Sequence, residues 1–138
     1  MNPFLKFESR GNFNKNAIML IGERYSDDTN VGENPNRKAL LGPKGCGPYF
    51  ERLIRSTKYY EDFYITNALK TLDDKINQKF LNEEIDLIQP RKIITLGQKA
   101  DKFLQKMNIN HSYFPHPQWI KRFHYHQIEE YSKMLTNI

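Results

Sequence analysis

The feature that most restricts the fold of this sequence is a set of short apolar runs, each of which ends in a polar segment. Four runs share this pattern, the last of them more weakly: Ala17–Ile21, Phe63–Thr66, Lys92–Leu96 and His111–Phe114. Short runs rich in β-branched and aromatic residues, without regular polar alternation, are typical of strands buried on both faces. The sequence therefore predicts a sheet that other elements cover on both sides.

Helical periodicity lies between and after these runs. One helix is predicted to have Asn82 as its N-cap, with Glu83 and Glu84 in its first turn, and to end before Pro90. Apolar spacing predicts further helices in three segments: residues 48–54, 100–107 and 128–135. Strands that alternate with helices favour βαβ units. We predict an α/β fold, a three-layer αβα arrangement around a central, mostly parallel four-stranded sheet, in one domain over residues 1–138.

This architecture predicts where a ligand would bind. The carboxyl ends of parallel strands lie at one edge of a sheet, and ligands bind in the crevice outside that edge. The segments that follow the four runs are polar: "GERYSDD", "TNALK", "LGQKA" and "HPQW". They are far apart in the sequence, but this topology would make them neighbours in space.

Composition excludes several classes of protein. Cys46 is the one cysteine, which rules out a disulfide framework and a multi-cysteine zinc or iron–sulfur site. The longest apolar run, Ala17–Ile21, is too short to span a membrane, and residues 1–16 lack the apolar stretch of a signal peptide. An intracellular, cytoplasmic protein is expected. The net charge of +5 is compatible with a polyanionic partner.

The sequence gives little indication of a metal site or of a glycine-rich phosphate-binding loop. His124 and His126 are spaced as ligands on one face of a strand, but a zinc site needs at least three protein ligands and a third is not evident. The glycines Gly22 and Gly97 do not have the spacing of a Walker or dinucleotide-binding motif. No metal site and no cofactor are predicted.

Several segments resemble, in chain order, the motifs of the uracil-DNA glycosylase superfamily. They are "IMLIGERYSDD", "GPKGCGPYFERL", "FYITNALK", "EIDLIQPRKIITLGQKA" and "HPQW", and together they cover roughly residues 17–119. The resemblance implies an enzyme that flips uracil or another altered pyrimidine out of DNA and hydrolyses its N-glycosidic bond. It also implies single- or double-stranded DNA as the partner, and we expect a monomer. One branch of the family carries a four-cysteine iron–sulfur cluster, which the single Cys46 cannot hold, so we expect a compact member without the cluster.

The same resemblance implies the catalytic and base-reading residues. Glu23 is the candidate carboxylate that would place water and support an oxocarbenium-like sugar, with Asp28 as an alternative. His116 matches the histidine of the closing motif, which can donate a hydrogen bond to the departing base as charge develops. Asn67 matches the base-reading position of the family. An amide suits this role because it offers both a donor and an acceptor to an imide edge.

The remaining candidates belong to the base pocket and to the DNA contact. The base-pocket candidates are Gly22, Arg24, Tyr25 and Leu40, and the DNA-binding candidates are Gln118, Trp119, Lys121 and Arg122. An aromatic residue followed by cations has the composition of a loop that wedges into DNA and contacts phosphate. Arg24, Tyr25 and Ser26 depart from the family pattern, since Tyr25 and Ser26 stand where it has Pro and Gly. Leu40 stands where the family has a stacking Phe.

These departures leave three hypotheses open. The first is a DNA glycosylase acting on uracil or another altered pyrimidine. The second is a non-catalytic module of the same fold that binds nucleic acid or a protein, with Arg24, Tyr25, Ser26 and Leu40 as its evidence. The third is an enzyme that acts on a free or modified nucleoside or nucleotide.

Overall fold

A computed structural model describes residues 10–11, 15–23, 52, 54–55, 57, 59–70, 72–116 and 133. Seven strands and helices follow in chain order, with a short 3-10 turn at Tyr60–Asp62. They are β1 (Arg10–Gly11), β2 (Ile18–Gly22), β3 (Phe63–Asn67), α1 (Asp74–Ile88), β4 (Lys92–Leu96), α2 (Gln98–Lys106) and β5 (Ser112–Phe114). The four predicted strands are β2 to β5, each within one residue of its predicted bounds.

The strands form one sheet in the order β1-β3-β2-β4-β5. Strands β3, β2, β4 and β5 are parallel, and the two-residue β1 is antiparallel at the edge beside β3. The prediction of an α/β fold with a mostly parallel four-stranded sheet is confirmed. The pattern did not predict β1, because two residues are too few to show a period.

Both described helices pack on the same face of the sheet. The apolar core on that face joins side chains of β2, the residue before it, β3 and the two helices: Ala17, Met19, Ile21, Tyr64, Leu81, Ile88, Phe103 and Leu104. The chain crosses from β3 over β2 to β4 and continues to β5 in the same direction. Right-handed crossovers that run in one direction place their helices on one face.

The connection from β2 to β3 runs in the opposite direction and includes the buried Ile54. The chain therefore leaves β2 in one direction and leaves β4 in the other. The carboxyl ends of these two neighbouring strands form a topological switch point, the place where open α/β sheets bind ligands.

Helix α1 begins eight residues before the predicted N-cap. Asp73 is the N-cap, and its carboxylate accepts hydrogen bonds from the backbone amides of Lys75 (2.8 Å) and Ile76 (3.3 Å). The prediction of Asn82 as the cap was wrong, because Asp caps a helix as well as Asn does and Asp73 stands at the start of the helical segment. The helix ends at Ile88, as Pro90 predicts.

Helix α2 is joined to the residue before strand β5 by a hydrogen bond between the side chains of Asp101 and His111. The Nε2 atom of His111 lies 2.7 Å from Asp101 Oδ1, and its Nδ1 atom lies 2.7 Å from the carbonyl of Ile109. This contact fixes the start of β5 against the helix that precedes it. It thereby fixes the direction in which β5 leads to His116.

No helix in the described ranges is long and apolar enough to cross a membrane. The predicted helices at residues 48–54 and 128–135 lie largely outside the described residues.

Candidate functional site at the carboxyl edge of the sheet

Glu23 is the first residue after β2 and lies at the switch point. Its backbone carbonyl accepts a hydrogen bond from the amide of Leu69 (2.9 Å), which continues the pairing of β2 with β3 beyond their last ladder residues. Its carboxylate Oε1 lies 3.5 Å from the amide nitrogen of Lys99, in the first turn of α2. The positive end of the helix dipole favours a carboxylate there.

Gly97 makes room for this carboxylate between β4 and α2. A Cβ at this position would lie 2.5 Å from Glu23 Oε1 and 3.2 Å from Cβ of His116. The glycine has φ 102° and ψ 161°, a conformation that is essentially restricted to glycine. Its amide donates to the carbonyl of Phe114 (2.9 Å), which ties β5 to the end of β4. Gly97 thus brings Glu23 and His116 together.

His116 follows β5 by two residues and faces Glu23. Burial lowers the pKa of its imidazole below the ordinary value of 6.5, and the negative charge of Glu23 opposes part of this effect by raising it. The neutral form therefore predominates at neutral pH. A neutral imidazole carries one N–H, which can be donated to an oxygen that gains negative charge.

Asn67 is the last residue of β3 and pairs in register with Gly22, the last residue of β2. The residue is 3% exposed, and its Oδ1 atom has no hydrogen-bond partner among the described residues. A buried acceptor without a donor costs about 1–3 kcal/mol, so such atoms are rare and call for an explanation. A ligand that supplies an N–H donor would remove this cost.

The sequence did not predict a second set of polar side chains, which lies between the turn after β3 and helix α1. Lys70 and Glu84 form an ion pair of 2.6 Å between Nζ and Oε1, with side chains only 4% and 0% exposed. Glu84 also accepts a hydrogen bond from the hydroxyl of Tyr64 (2.5 Å). The sequence held one signal for this pair, the helical spacing of Asn77, Leu81, Glu84 and Ile88. All four lie on the inner face of α1. A carboxylate in an apolar stripe indicates a buried partner.

The structure brings four predicted residues to this edge of the sheet. They are Gly22, Glu23, Asn67 and His116, and with Gly97 we call them the sheet-edge site. The other predicted site residues lie outside the described residues: Asp28, Arg24, Tyr25, Leu40, Gln118, Trp119, Lys121 and Arg122. Cys46, His124 and His126 also lie outside them. Within the described ranges, no cluster of three His, Cys, Asp or Glu residues could hold a metal ion.

Comparison with known proteins agrees with this geometry. The family described as "Uracil DNA glycosylase superfamily" matches residues 9–136 of the 138. A solved structure is similar, the solution NMR structure of "a putative Uracil DNA glycosylase from Methanosarcina acetivorans". The TM-score is 0.56 at 15% identity, over 94% of each chain. No curated protein matches the sequence. Because the family match spans nearly the whole chain, the protein belongs to the uracil DNA glycosylase superfamily.

Proposed function

We propose that the protein is a DNA glycosylase that removes uracil or another altered pyrimidine. The observation that carries the proposal is the convergence of a carboxylate, a neutral imidazole and a buried amide with an unpartnered acceptor at one sheet edge. Gly97 holds Glu23 and His116 side by side, and the register of β2 with β3 puts Asn67 beside them. An enzyme that acts on a base must read the edge of the extruded base and assist cleavage of its bond, and these groups suit both tasks.

Asn67 is the proposed reader of the base. Its Oδ1 atom has no donor in the described part of the chain, and a pyrimidine with an imide N–H would supply one. The amide nitrogen of the same side chain would donate to the neighbouring base oxygen. Cytosine presents an acceptor where uracil presents the N–H, so it would leave the Asn67 acceptor unpaired. Sites built around buried polar groups reject such analogues strongly.

Glu23 and His116 are the proposed catalytic residues. Cleavage of the bond between the sugar C1′ and the base nitrogen leaves its electron pair on the base, while the sugar becomes oxocarbenium-like. The Glu23 carboxylate would support this cation and orient the attacking water. The water oxygen forms the new bond to C1′, the carboxylate takes up the water proton and returns it to solvent, and the departed base anion takes a proton from solvent. The neutral His116 would donate its N–H to a base oxygen as negative charge develops.

The test is excision of uracil from synthetic oligonucleotides. Single- and double-stranded substrates with one uracil are incubated with the protein and then with alkali, which cleaves the strand at an abasic site. Wild-type protein is expected to produce cleavage. Glu23→Gln and His116→Ala are each expected to lower the single-turnover rate by about 10²- to 10⁴-fold. Asn67→Ala is expected to reduce excision together with discrimination against cytosine.

Two matched variants control for these changes. Glu61→Gln makes the same chemical change as Glu23→Gln at an exposed position before β3, on the opposite edge of the sheet. Asn82→Ala makes the same change as Asn67→Ala at an exposed position of α1. Both are expected to excise uracil at the wild-type rate.

The proposal fails if wild-type protein excises neither uracil nor other altered pyrimidines from either kind of strand. Salt-sensitive DNA binding without excision would then favour a non-catalytic binding module on this fold. Tight binding of a free nucleotide, without salt-sensitive DNA binding, would favour an enzyme that acts on nucleosides or nucleotides.

A further inference from the structure

We propose that Lys70, Glu84 and Asn77 are positioning residues that fix the turn after β3 and thereby hold Asn67 in its base-reading geometry. This inference rests on the proposed function, because it assigns a role to residues behind the proposed reader. The three side chains, together with Tyr64, are called the buried network below. They bond to the backbone of residues 67–70 through Lys70 and Asn77: the Lys70 ammonium donates to the carbonyl of Asn67, and Asn77 accepts from the amide of Lys70.

Lys70 folds back over the turn that it ends. Its Nζ atom donates to the backbone carbonyl of Asn67 (2.5 Å), three residues earlier. Its own backbone amide donates to Oδ1 of Asn77 (3.1 Å), in the first turns of α1. The turn is therefore held at its start by the lysine side chain and at its end by the helix.

The two amides in the middle of the turn are held by β2. The amide of Ala68 donates to the carbonyl of Gly22, and that of Leu69 donates to the carbonyl of Glu23, both at 2.9 Å. All three amides from Ala68 to Lys70 therefore have a partner, and so has the carbonyl of Asn67. Such complete pairing leaves the Asn67 main chain little freedom, and it couples Asn67 to the backbone of Glu23.

Glu84 makes the buried position of Lys70 possible. A buried ammonium group is costly unless it is paired and hydrogen-bonded, and Glu84 Oε1 lies 2.6 Å from it. The other carboxylate oxygen accepts from Tyr64, which lies three residues before Asn67 on the same strand. The network therefore links α1 to both the middle and the end of β3. A buried pair often adds little stability compared with apolar side chains, so a geometric role accounts better for a pair at this place.

The decisive variant removes the charges without leaving one of them unpaired. In the triple variant Tyr64→Phe/Lys70→Met/Glu84→Leu, apolar side chains of similar size replace the network, and the protein is expected to remain folded. The Asn67 carbonyl loses its donor. We expect the single-turnover rate of uracil excision to fall by about 10- to 100-fold, the effect of a displacement of about 1 Å in a catalytic group.

Hydrogen exchange gives a readout that does not depend on activity. The amides of Ala68 and Leu69 are expected to exchange at least about tenfold faster in the triple variant. Asp73→Ala is the matched control, because it weakens the N-terminus of α1 by removing the acceptor of the Lys75 and Ile76 amides. At matched global stability, the control is expected to keep both the exchange rates of these two amides and the excision rate.

Asn77→Ala is the second variant, and it introduces no unpaired charge. It removes the acceptor of the Lys70 amide, so faster exchange at Ala68 and Leu69 and slower excision are expected again. Wild-type exchange and wild-type excision in both the triple variant and Asn77→Ala would overturn the inference. So would changes that Asp73→Ala reproduces at equal stability, since these would indicate a purely structural network.

The outcomes separate this inference from the proposed function. If wild-type protein excises no base, the proposed function falls, and the exchange of Ala68 and Leu69 still shows whether the network holds the turn. If wild-type protein excises uracil and the variants do so equally well, the proposed function stands and the positioning role falls.

Discussion

Two groups of polar side chains meet at residues 67–70, and they differ in how their hydrogen bonds are satisfied. In the buried network, Glu84 accepts from Lys70 at 2.6 Å and from Tyr64 at 2.5 Å. In the sheet-edge site, the carboxylate of Glu23 lies 3.5 Å from the Lys99 amide, and Asn67 Oδ1 lacks a donor among the described residues. The first group is saturated by the protein, and the second keeps binding capacity for a ligand.

This difference separates side chains that support the fold from those that would do chemistry. Saturated buried groups rigidify a core, and removing one partner leaves the other without compensation. Unsatisfied groups cost stability in the free protein and recover that cost on binding. Substitution should therefore lower stability strongly in the buried network, and it should lower activity more than stability in the sheet-edge site.

Lys70→Met alone is expected to have the largest effect on stability. It leaves the fully buried Glu84 carboxylate without its cation, and breaking a buried pair in this way costs about 3–5 kcal/mol. Urea denaturation gives the free energy of unfolding. Arg91→Met is the comparison, because Arg91 pairs with Asp62 at 3.0 Å while both side chains are more than 40% exposed. That pair is expected to contribute about 1 kcal/mol or less. Equal losses in the two variants would contradict this difference between the pairs.

Gly97→Ala is expected to have the next largest effect. Alanine strains the backbone at φ 102° and ψ 161°, which costs about 1–3 kcal/mol. Its Cβ would also displace the Glu23 carboxylate, so excision should fall further than the loss of stability explains. Asp73→Ala, which removes the N-cap of α1, serves as the control because it should cost a similar amount of stability. A variant with full activity and a reduced melting temperature would show that the carboxylate can move without consequence.

Asn67→Ala is expected to change the free energy of unfolding by less than about 1 kcal/mol. The lost packing is offset by removal of an acceptor that has no donor in the described part of the chain. Asn77→Ala makes the same change at a site that is just as buried, 1% exposed against 3%, but whose Oδ1 accepts from Lys70. It should cost about 1–3 kcal/mol. Equal losses of stability in the two variants would show that the Oδ1 atoms of Asn67 and Asn77 do not differ in hydrogen bonding.

The sequence predicted the sheet well because its central strands are apolar, and β2 and β3 are buried along their whole length. Runs such as Ala17–Ile21 carry apolar residues at every position, and this signal does not depend on knowing the partners. The carboxyl-edge rule then predicted that Glu23, Asn67 and His116 would be neighbours, and the register and the Gly97 contacts bring them to one edge.

The buried network was not predicted, for a physical reason. Lysine and glutamate are almost never fully buried unless they are paired, so Lys70 and Glu84 are expected at the surface when each is considered alone. Their pairing depends on how the turn after β3 meets α1, which is a tertiary contact across 14 residues. Glu84 was also assigned to a first turn that in fact begins at Asp74. With the helix start displaced, the inner face that carries Asn77 and Glu84 could not be recognised.

The smallest predicted effect concerns the pKa of His116. Burial lowers this pKa below 6.5, and the charge of Glu23 raises it in part, so Glu23→Gln should lower it further. Titration of the ring proton signals by NMR measures the change, with Glu61→Gln as the control that leaves the pKa where it is. A higher pKa in Glu23→Gln would mean that the two side chains do not share the space beside Gly97.

The same shift predicts the sign of a pH effect on stability. Because the folded protein binds the proton of His116 less readily than the unfolded chain, stability is complete above pH 6.5 and is lost as the pH falls through 6.5 toward the lowered value. His116→Gln removes this dependence on pH. As the pH falls from 6.5 to the lowered pKa, the melting temperature of the wild type should therefore fall relative to that of the variant. Glu23→Gln should extend the window to lower pH, since it lowers the folded-state pKa further. A difference that stays constant between pH 8 and the lowered pKa would show that His116 titrates alike in both states.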